Sequence, residues 1–215
     1  MEKKNLLFVN DEMTMGGVAK ILCTFLKMID KSKYNVDLLV LHKHGELLGE
    51  VPEGINLIEG TKFFDTVDIP LRDCDVSNIF SKIRLLFYMK TGLIQDRIVK
   101  ERNKILNRKY DVEFCAKEGF CTIFTAFGDS KRKINWIQTD YKVNNYSSNH
   151  MILVKKALSY IDVNIACSEQ VKNSYQEVFK INNILIINNP IDEERIKKMS
   201  LTTQYWIAYQ VVTTV

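Results

Sequence analysis

Residues 5–30 read NLLFVNDEMTMGGVAKILCTFLKMID and contain the clearest signals of the fold. Residues 6–9 are four apolar residues in succession, which is typical of a parallel strand buried on both faces. After Gly16 and Gly17, apolar residues recur at steps of three and four, as on one face of an amphipathic helix. The stretch therefore predicts a strand, a glycine turn and a helix.

The glycine pair has two interpretations that remain equally open from this local pattern. Glycines ahead of a helix let the backbone come close to a ligand, and the helix start offers unpaired N–H groups and the positive end of the helix dipole. Such a place suits a phosphate or a carboxylate. The alternative is that Gly16 and Gly17 only make a tight turn.

Strand and helix patterns alternate along the rest of the chain. The alternation predicts an α/β fold with a doubly wound, mostly parallel, Rossmann-like sheet of about seven strands. Gly92 is expected to divide the apolar pattern that follows Val76 into two helices. Strands are expected at 6–9, 34–41, 55–58, 111–116, 133–138, 163–167 and 184–188, and further helices at 120–127, 149–158 and 168–179.

The composition is that of an ordinary globular protein. The chain has 215 residues, of which 46% are hydrophobic and 26% charged, with a formal net charge of +4. The five cysteines are an odd number and include no C-x-x-C pair, which disfavours a metal site and a disulfide framework. Cys23, Cys115 and Cys167 lie inside predicted helices or strands, where a free cysteine behaves as a small apolar residue, and this favours a reducing compartment. No signal-peptide or transmembrane pattern is present, so we expect a cytoplasmic protein that contacts the inner face of a membrane at most peripherally.

Several common enzyme signatures are missing. A dinucleotide dehydrogenase has G-x-G-x-x-G directly after its first strand and an acidic residue at the end of the second, whereas the second strand here ends in Leu41 and His42. The P-loop, H-E-x-x-H and G-x-S-x-G patterns do not occur either. These absences disfavour dehydrogenases, P-loop nucleotidases, and the commonest zinc proteases and hydrolases.

Residues 82–109 contain nine basic and two acidic residues, with apolar and aromatic residues between them. A basic helical surface that carries aromatic residues can bind an anionic lipid surface or a charged acceptor. The alternative is a solvated helix face. The residues assigned to this membrane or acceptor surface are Lys82, Arg84, Lys90 and Arg97.

The end of the chain differs from the rest. Residues 201–215 contain no charged residue, and they do not continue the preceding pattern. We therefore expect a Rossmann-like domain over residues 1–198 and an atypical tail over residues 199–215. A truncated or altered end and a segment that packs back on the domain both remain open.

Several short motifs follow one another along the chain. They are FVN (8–10) leading to MGGV (15–18), VPEGI (51–55), DV (111–112), EG (118–119), KINWIQTD (133–140), ACSEQV (166–171) and NNPID (188–192). In this order they resemble the N-terminal domain of retaining, family-four type glycosyltransferases of GT-B fold. The similarity spans roughly residues 4–198.

The resemblance implies roles for four residues. Gly16 and Gly17 match a loop that faces the cleft between two Rossmann-like domains, near the phosphates of a nucleotide-sugar donor. Gln138 stands where many members have a histidine that contacts the transferred sugar or the acceptor; its amide forms hydrogen bonds but cannot act as an acid or base. Asp140 matches an acidic position and is kept as a substrate-binding candidate. No catalytic residue and no metal ligand is assigned.

The resemblance also implies a function. It predicts transfer of a sugar from a nucleotide-sugar donor to a cell-envelope polysaccharide or lipid-linked acceptor, with no further cofactor and no nucleic acid. The donor-binding domain of the family is expected to be absent, so residues 1–215 alone are expected to have little or no activity. A subunit that works with a donor-domain partner protein, a non-catalytic acceptor- or partner-binding module and an inactive fragment all remain open.

Overall fold

The computed structural model describes residues 2–67, 69, 71–143 and 146–200, without the side chains of residues 194, 195 and 199. The tail expected at 199–215 therefore lies outside the described residues from residue 201 onward. The strands are β1 (Lys4–Asn10), β2 (Tyr34–Val40), β3 (Ile55–Glu59), β4 (Val112–Cys115), β5 (Arg132–Ile137), β6 (Val163–Ala166) and β7 (Ile184–Ile186). The helices are α1 (Gly17–Met28), α2 (Ile79–Thr91), α3 (Ile94–Ile105), α4 (Phe120–Ala126), α5 (Ser148–Leu158), α6 (Glu169–Phe179) and α7 (Glu193–Ser200), with 3₁₀ turns at Glu46–Glu50 and Leu71–Asp73.

These strands form one parallel sheet in the order β3-β2-β1-β4-β5-β6-β7. The chain first places β2 and β3 on one side of β1. It then crosses over the sheet and places β4, β5, β6 and β7 in turn on the other side of β1. The predicted doubly wound, Rossmann-like sheet is confirmed, and each predicted strand agrees with the structure to within two residues at either end. Since β1 and β4 are neighbours, the strand order reverses between them.

The first strand supplies side chains to two cores, one on each face of the sheet. Leu7 and Val9 belong to the larger core, beneath α2 to α6, and Leu6 and Phe8 belong to the core beneath α1. Covering both faces of a strand requires apolar residues at successive positions. This is the physical reason for the continuous apolar run at 6–9.

The face beneath α1 is incompletely covered by the described residues. α1 reaches as far as β5, where the Phe25 ring lies 5.4 Å from the Trp136 ring, centroid to centroid. Farther out, Ile165 of β6 pairs with Leu185 of β7, and Leu185 and Ile187 remain more than half exposed at 53% and 52%. The outer edge of the sheet therefore shows an apolar strand to solvent.

Two helix ends follow the sequence prediction. Gly92 ends α2 in a left-handed conformation with φ of 77°, and so divides α2 from α3. The Ser168 hydroxyl caps α6 by accepting the N–H of Val171 at 3.3 Å. The short α7 after residue 192 was not anticipated, because its few apolar residues give no clear helical period.

A buried ion pair fastens α3 to the sheet. The Arg102 guanidinium donates to both carboxylate oxygens of Glu113, at 2.7 and 2.8 Å, and lies over the Phe124 ring. Gly128 leaves room for the pair, since a Cβ there would lie 2.5 Å from Arg102 Nη2 and 2.6 Å from Glu113 Oε2. Arg102, counted in the basic stretch at 82–109, is thus a core residue.

Candidate functional site

The glycine pair opens α1 at the carboxyl end of β1. Gly16 is extended, with φ of −168°, and provides no side-chain cap for the helix. A Cβ at Gly17 would meet nothing within 4 Å, and one at Gly16 would meet only the Thr14 carbonyl oxygen at 3.9 Å. Neither crowding nor a left-handed backbone requires glycine here, so a tight turn does not explain the pair. Both glycines are exposed at the start of α1, and open space lies where their side chains would be.

The loop that carries these glycines is held from the side of β2. The Met13 N–H donates to the His44 carbonyl oxygen at 2.7 Å, and the Met15 N–H donates to Glu46 Oε2 at 2.9 Å. Gly45 is required at this contact, because its φ is 118° and a Cβ would lie 2.1 Å from the Met13 carbonyl carbon. Sequence reasoning missed Gly45, because a single glycine in the loop after the second strand does not indicate a contact with the loop after β1.

An ion pair joins the loop after β1 to the loop after β4. The Lys117 ammonium group contacts the carboxylate of the buried Asp11. The two loops leave the sheet from the neighbouring strands β1 and β4, where the strand order reverses. In parallel α/β sheets this reversal produces a crevice at the carboxyl ends of the strands, and ligands bind there.

Glu118 joins the loop after β4 to the loop after β5. Its buried carboxylate accepts the backbone N–H of Gln138 at 2.8 Å and that of Thr139 at 3.0 Å, together with the Thr139 hydroxyl. Burial raises the pKa of the Glu118 carboxyl group above its ordinary value. Glu118 therefore holds the backbone at which Gln138 leaves the sheet, a role that its place in a two-residue motif did not reveal.

Gln138 lies at the same edge and keeps unused hydrogen-bonding capacity. Its Oε1 accepts a hydrogen bond from Nδ2 of Asn189 at 2.9 Å. Gln138 Nε2 and Asn189 Oδ1 are both shielded from solvent and have no hydrogen-bond partner within the described part of the chain. The pair thus retains one donor and one acceptor, which is what a hydroxyl group can satisfy.

Asp140 is occupied by the protein's own groups. Its carboxylate accepts the Ser174 hydroxyl and, at 3.0 Å, the Lys142 N–H, and these hydrogen bonds hold its pKa below the ordinary value. Gln170 Nε2 lies 3.5 Å from the same carboxylate. Asp140 therefore lies at the predicted edge, where it ties the loop after β5 to α6.

Sequence reasoning also missed a histidine near this edge. His150 of α5 lies 3.0 Å from the Tyr141 hydroxyl through Nε2, and a Cβ at Gly119 would be 3.6 Å from the same nitrogen. Burial, with a smaller contribution from the positive charge of Lys82, lowers the pKa of His150 to about 4. His150 is consequently neutral at neutral pH. A lone histidine in a helical pattern gave no signal of this position.

The four residues assigned to the basic surface do not lie together on it. Lys82 is buried, and its ammonium group donates to the carbonyl oxygens of Thr66 at 2.7 Å and Val67 at 3.2 Å. This corrects the assignment of Lys82, which points inward because those two carbonyls accept its hydrogen bonds. Arg97 is mostly buried, and its Nη2 lies 2.6 Å from Glu101 Oε1. Arg84 and Lys90 are exposed.

The described residues offer neither a metal site nor a membrane-spanning helix. No group of three or more His, Cys, Asp or Glu side chains there is arranged to hold a metal ion. None of the helices in that part of the chain is both long and apolar enough to cross a membrane.

Comparison with known proteins gave no identification. The sequence matches no protein-family model and no curated protein.

Proposed function

We propose that this chain supplies the acceptor-side wall of a retaining glycosyltransferase of GT-B type. In this proposal the wall binds a nucleotide sugar and a glycan or lipid-linked acceptor of cell-envelope polysaccharide assembly, on the cytoplasmic side. The observation that carries the proposal is the open approach to the α1 N-terminus across Gly16 and Gly17. In this proposal a diphosphate lies against the first N–H groups of α1, beside the exposed Gly16 and Gly17.

The position of the glycines relative to the sheet supports the proposal that the ligand carries a phosphate. They follow β1, next to the reversal of strand order, and the contacts of Gly45 and Glu46 hold their loop in place. A preformed loop binds more tightly than a mobile one, because less conformational entropy is lost on binding.

The pair of amides formed by Gln138 and Asn189, at the end of β5, suits the sugar of the acceptor substrate. Gln138 Nε2 and Asn189 Oδ1 are shielded from solvent, so a sugar hydroxyl, which both donates and accepts, pairs with them once the two side chains turn outward. We place the acceptor sugar against this pair. Neither amide can transfer a proton, so the proposal assigns them orientation of the substrate and not acid or base catalysis.

The chemistry follows from this division of roles. Retaining enzymes of the type that the sequence resembles are thought to use the donor's own phosphate oxygen to assist the attacking hydroxyl group. A wall that orients both substrates is then sufficient on the acceptor side, and an opposing wall adds to the stabilisation of the leaving diphosphate by the N–H groups of α1. The described residues contain one Rossmann-like sheet, so we assign the opposing wall to a donor-binding domain outside them.

An NMR titration of the ¹⁵N-labelled chain tests the proposal. UDP-glucose, UDP-N-acetylglucosamine and GDP-mannose are added separately, with methyl glucoside as a phosphate-free comparison. We expect weak binding, with Kd of about 1 mM, of at least one nucleotide sugar, and chemical-shift changes at the amides of Gly16 and Gly17. Shift changes confined to other parts of the sheet, or none with any of the three, would contradict the proposal.

A further inference from the structure

The outward side of α2 carries an apolar row. Phe80, Ile83 and Phe87 are 77%, 51% and 57% exposed. Their spacing of three and four residues aligns them along one line of the helix, and the buried Lys82 and Leu85 mark the opposite side. A helix on the surface of a globular protein normally presents polar residues at the centre of its solvent side. An apolar centre therefore marks an interaction surface.

The row is longer than the three central residues. Val76, four residues before Phe80, is 87% exposed and extends the line beyond the helix start. Ile79 and Leu86 lie beside the row and are also exposed. The inner side of α2 packs on α3 and α5, so the row runs along the outside of a single helix and not within a groove.

Within α2 the charges beside the row are all positive, although Asp73 and Asp75 are exposed before the helix, near Val76. The sequence of α2, IFSKIRLLFYMKT, contains no acidic residue. Its two exposed charged residues are Arg84 and Lys90, and the 100° step of an α-helix puts them on opposite flanks of the row. Long basic side chains can keep their alkyl stems on apolar surface while their charged ends reach anionic groups at its border.

We propose that α2 lies in the interface of an anionic lipid bilayer. Phe80, Ile83 and Phe87 enter the boundary between headgroups and acyl chains, and Arg84 and Lys90 bind lipid phosphates. The positive flanks complement an anionic surface, and a convex row on one helix fits a deformable bilayer better than a shaped protein partner. This inference is independent of the proposed transferase site, which lies at the carboxyl edge of the sheet.

Vesicle sedimentation with the full chain tests the inference. Sucrose-loaded phosphatidylcholine vesicles are compared with vesicles that also contain about 30% phosphatidylglycerol, at low and at high salt. We expect binding to the anionic vesicles that weakens as salt rises. The double variant Phe80→Glu/Phe87→Glu is expected to bind at least about tenfold more weakly, and Arg84→Gln/Lys90→Gln about tenfold more weakly at low salt.

A matched control separates this surface from a general effect of added negative charge. Met28 of α1 and Ile152 of α5 are 68% and 65% exposed, and the variant Met28→Glu/Ile152→Glu changes the net charge as Phe80→Glu/Phe87→Glu does. We expect the control to bind anionic vesicles like the wild type. Thermal unfolding establishes that each variant is folded, and Arg84→Gln/Lys90→Gln provides the test if the phenylalanine variant is not.

Three results would overturn the inference. The first is that the wild type does not sediment with anionic vesicles. The second is that Phe80→Glu/Phe87→Glu and the control lose binding equally, or that neither loses it. The third is self-association of the wild type that depends on Phe80 and Phe87 without vesicle binding, which would identify a second copy of the chain as the occupant of this face.

Discussion

Asn189 Nδ2 donates a hydrogen bond to Gln138 Oε1 at 2.9 Å and so connects the segment after β7 to the end of β5. This bond satisfies Gln138 Oε1 and Asn189 Nδ2. Gln138 Nε2 and Asn189 Oδ1 are buried and have no partner among the described residues. An unsatisfied buried polar group costs about 1–3 kcal/mol. Such a cost is expected at a binding site, where a ligand can supply the missing partner.

Gln138→Met should change the free energy of unfolding by less than about 1 kcal/mol. The substitution leaves Asn189 Nδ2 without its acceptor, but it also removes the unpaired buried donor of Gln138, so the two effects oppose each other. Urea unfolding at neutral pH measures the difference. A loss of about 3 kcal/mol or more would contradict the assignment of Gln138 Nε2 as unpartnered.

Glu118→Ala should lower the free energy of unfolding by about 3 kcal/mol. The backbone N–H groups of Gln138 and Thr139 would lose their acceptor in a buried place. Glu118→Gln should lie between the wild type and Glu118→Ala, because an amide keeps one accepting oxygen. If Glu118→Ala unfolds within about 1 kcal/mol of the wild type, Glu118 does not hold this backbone as proposed.

Gly128→Ala should destabilise the protein by about 3 kcal/mol. The added methyl group would lie 2.5 Å from Arg102 Nη2 and force apart the buried pair with Glu113. Gly49→Ala is the control, because a Cβ at Gly49 meets nothing within 4 Å. Chemical denaturation of both variants should show a large difference between them, and equal stabilities would contradict the packing described around the ion pair.

Acid should weaken the fold through His150. Its pKa is about 4 in the folded protein and 6.5 ordinarily, so between these values the unfolded chain binds a proton that the folded chain does not. His150 therefore does not lower the free energy of unfolding above about pH 6.5. As the pH drops from 6.5 toward 4, the free energy of unfolding falls by up to about 3 kcal/mol through this residue.

The pH effect is measured by urea unfolding at pH 7 and pH 5, for the wild type and for His150→Gln. We expect His150→Gln to lose less stability over this interval than the wild type, because glutamine does not titrate. The same loss in both proteins would show that groups other than His150 cause the acid sensitivity.

The strands of the sheet could be predicted from the sequence, because the patterns that indicate them involve residues close together in the chain. Residues 6–9 are apolar in succession because both faces of β1 are covered, and Gly92 marks a helix end through its own backbone conformation. Ser168 likewise caps a helix whose start lies next to it in the chain. Patterns of this kind need no knowledge of distant contacts.

The site was only partly predictable, since its contacts join residues far apart in the sequence. Gln138 was singled out, but its partners Glu118 and Asn189 lie 20 and 51 residues away. Lys82 was expected on the surface, because a sequence does not show that the Thr66 and Val67 carbonyls accept its hydrogen bonds. The assignment of Gly16 and Gly17 to a ligand site remains a prediction.

In the proposed site, the exposed backbone at the start of α1 receives a phosphate-bearing ligand. The most direct measurement compares the affinity of Gly17→Val and Gly49→Val for the nucleotide sugar that the wild type binds best, by NMR titration. A Cβ at either glycine would meet nothing within 4 Å, so we expect both variants to fold, and only valine at position 17 places a side chain beside the first N–H groups of α1. We predict that Gly17→Val weakens binding at least about tenfold while Gly49→Val binds like the wild type. Equal affinities for the two variants would contradict the claim.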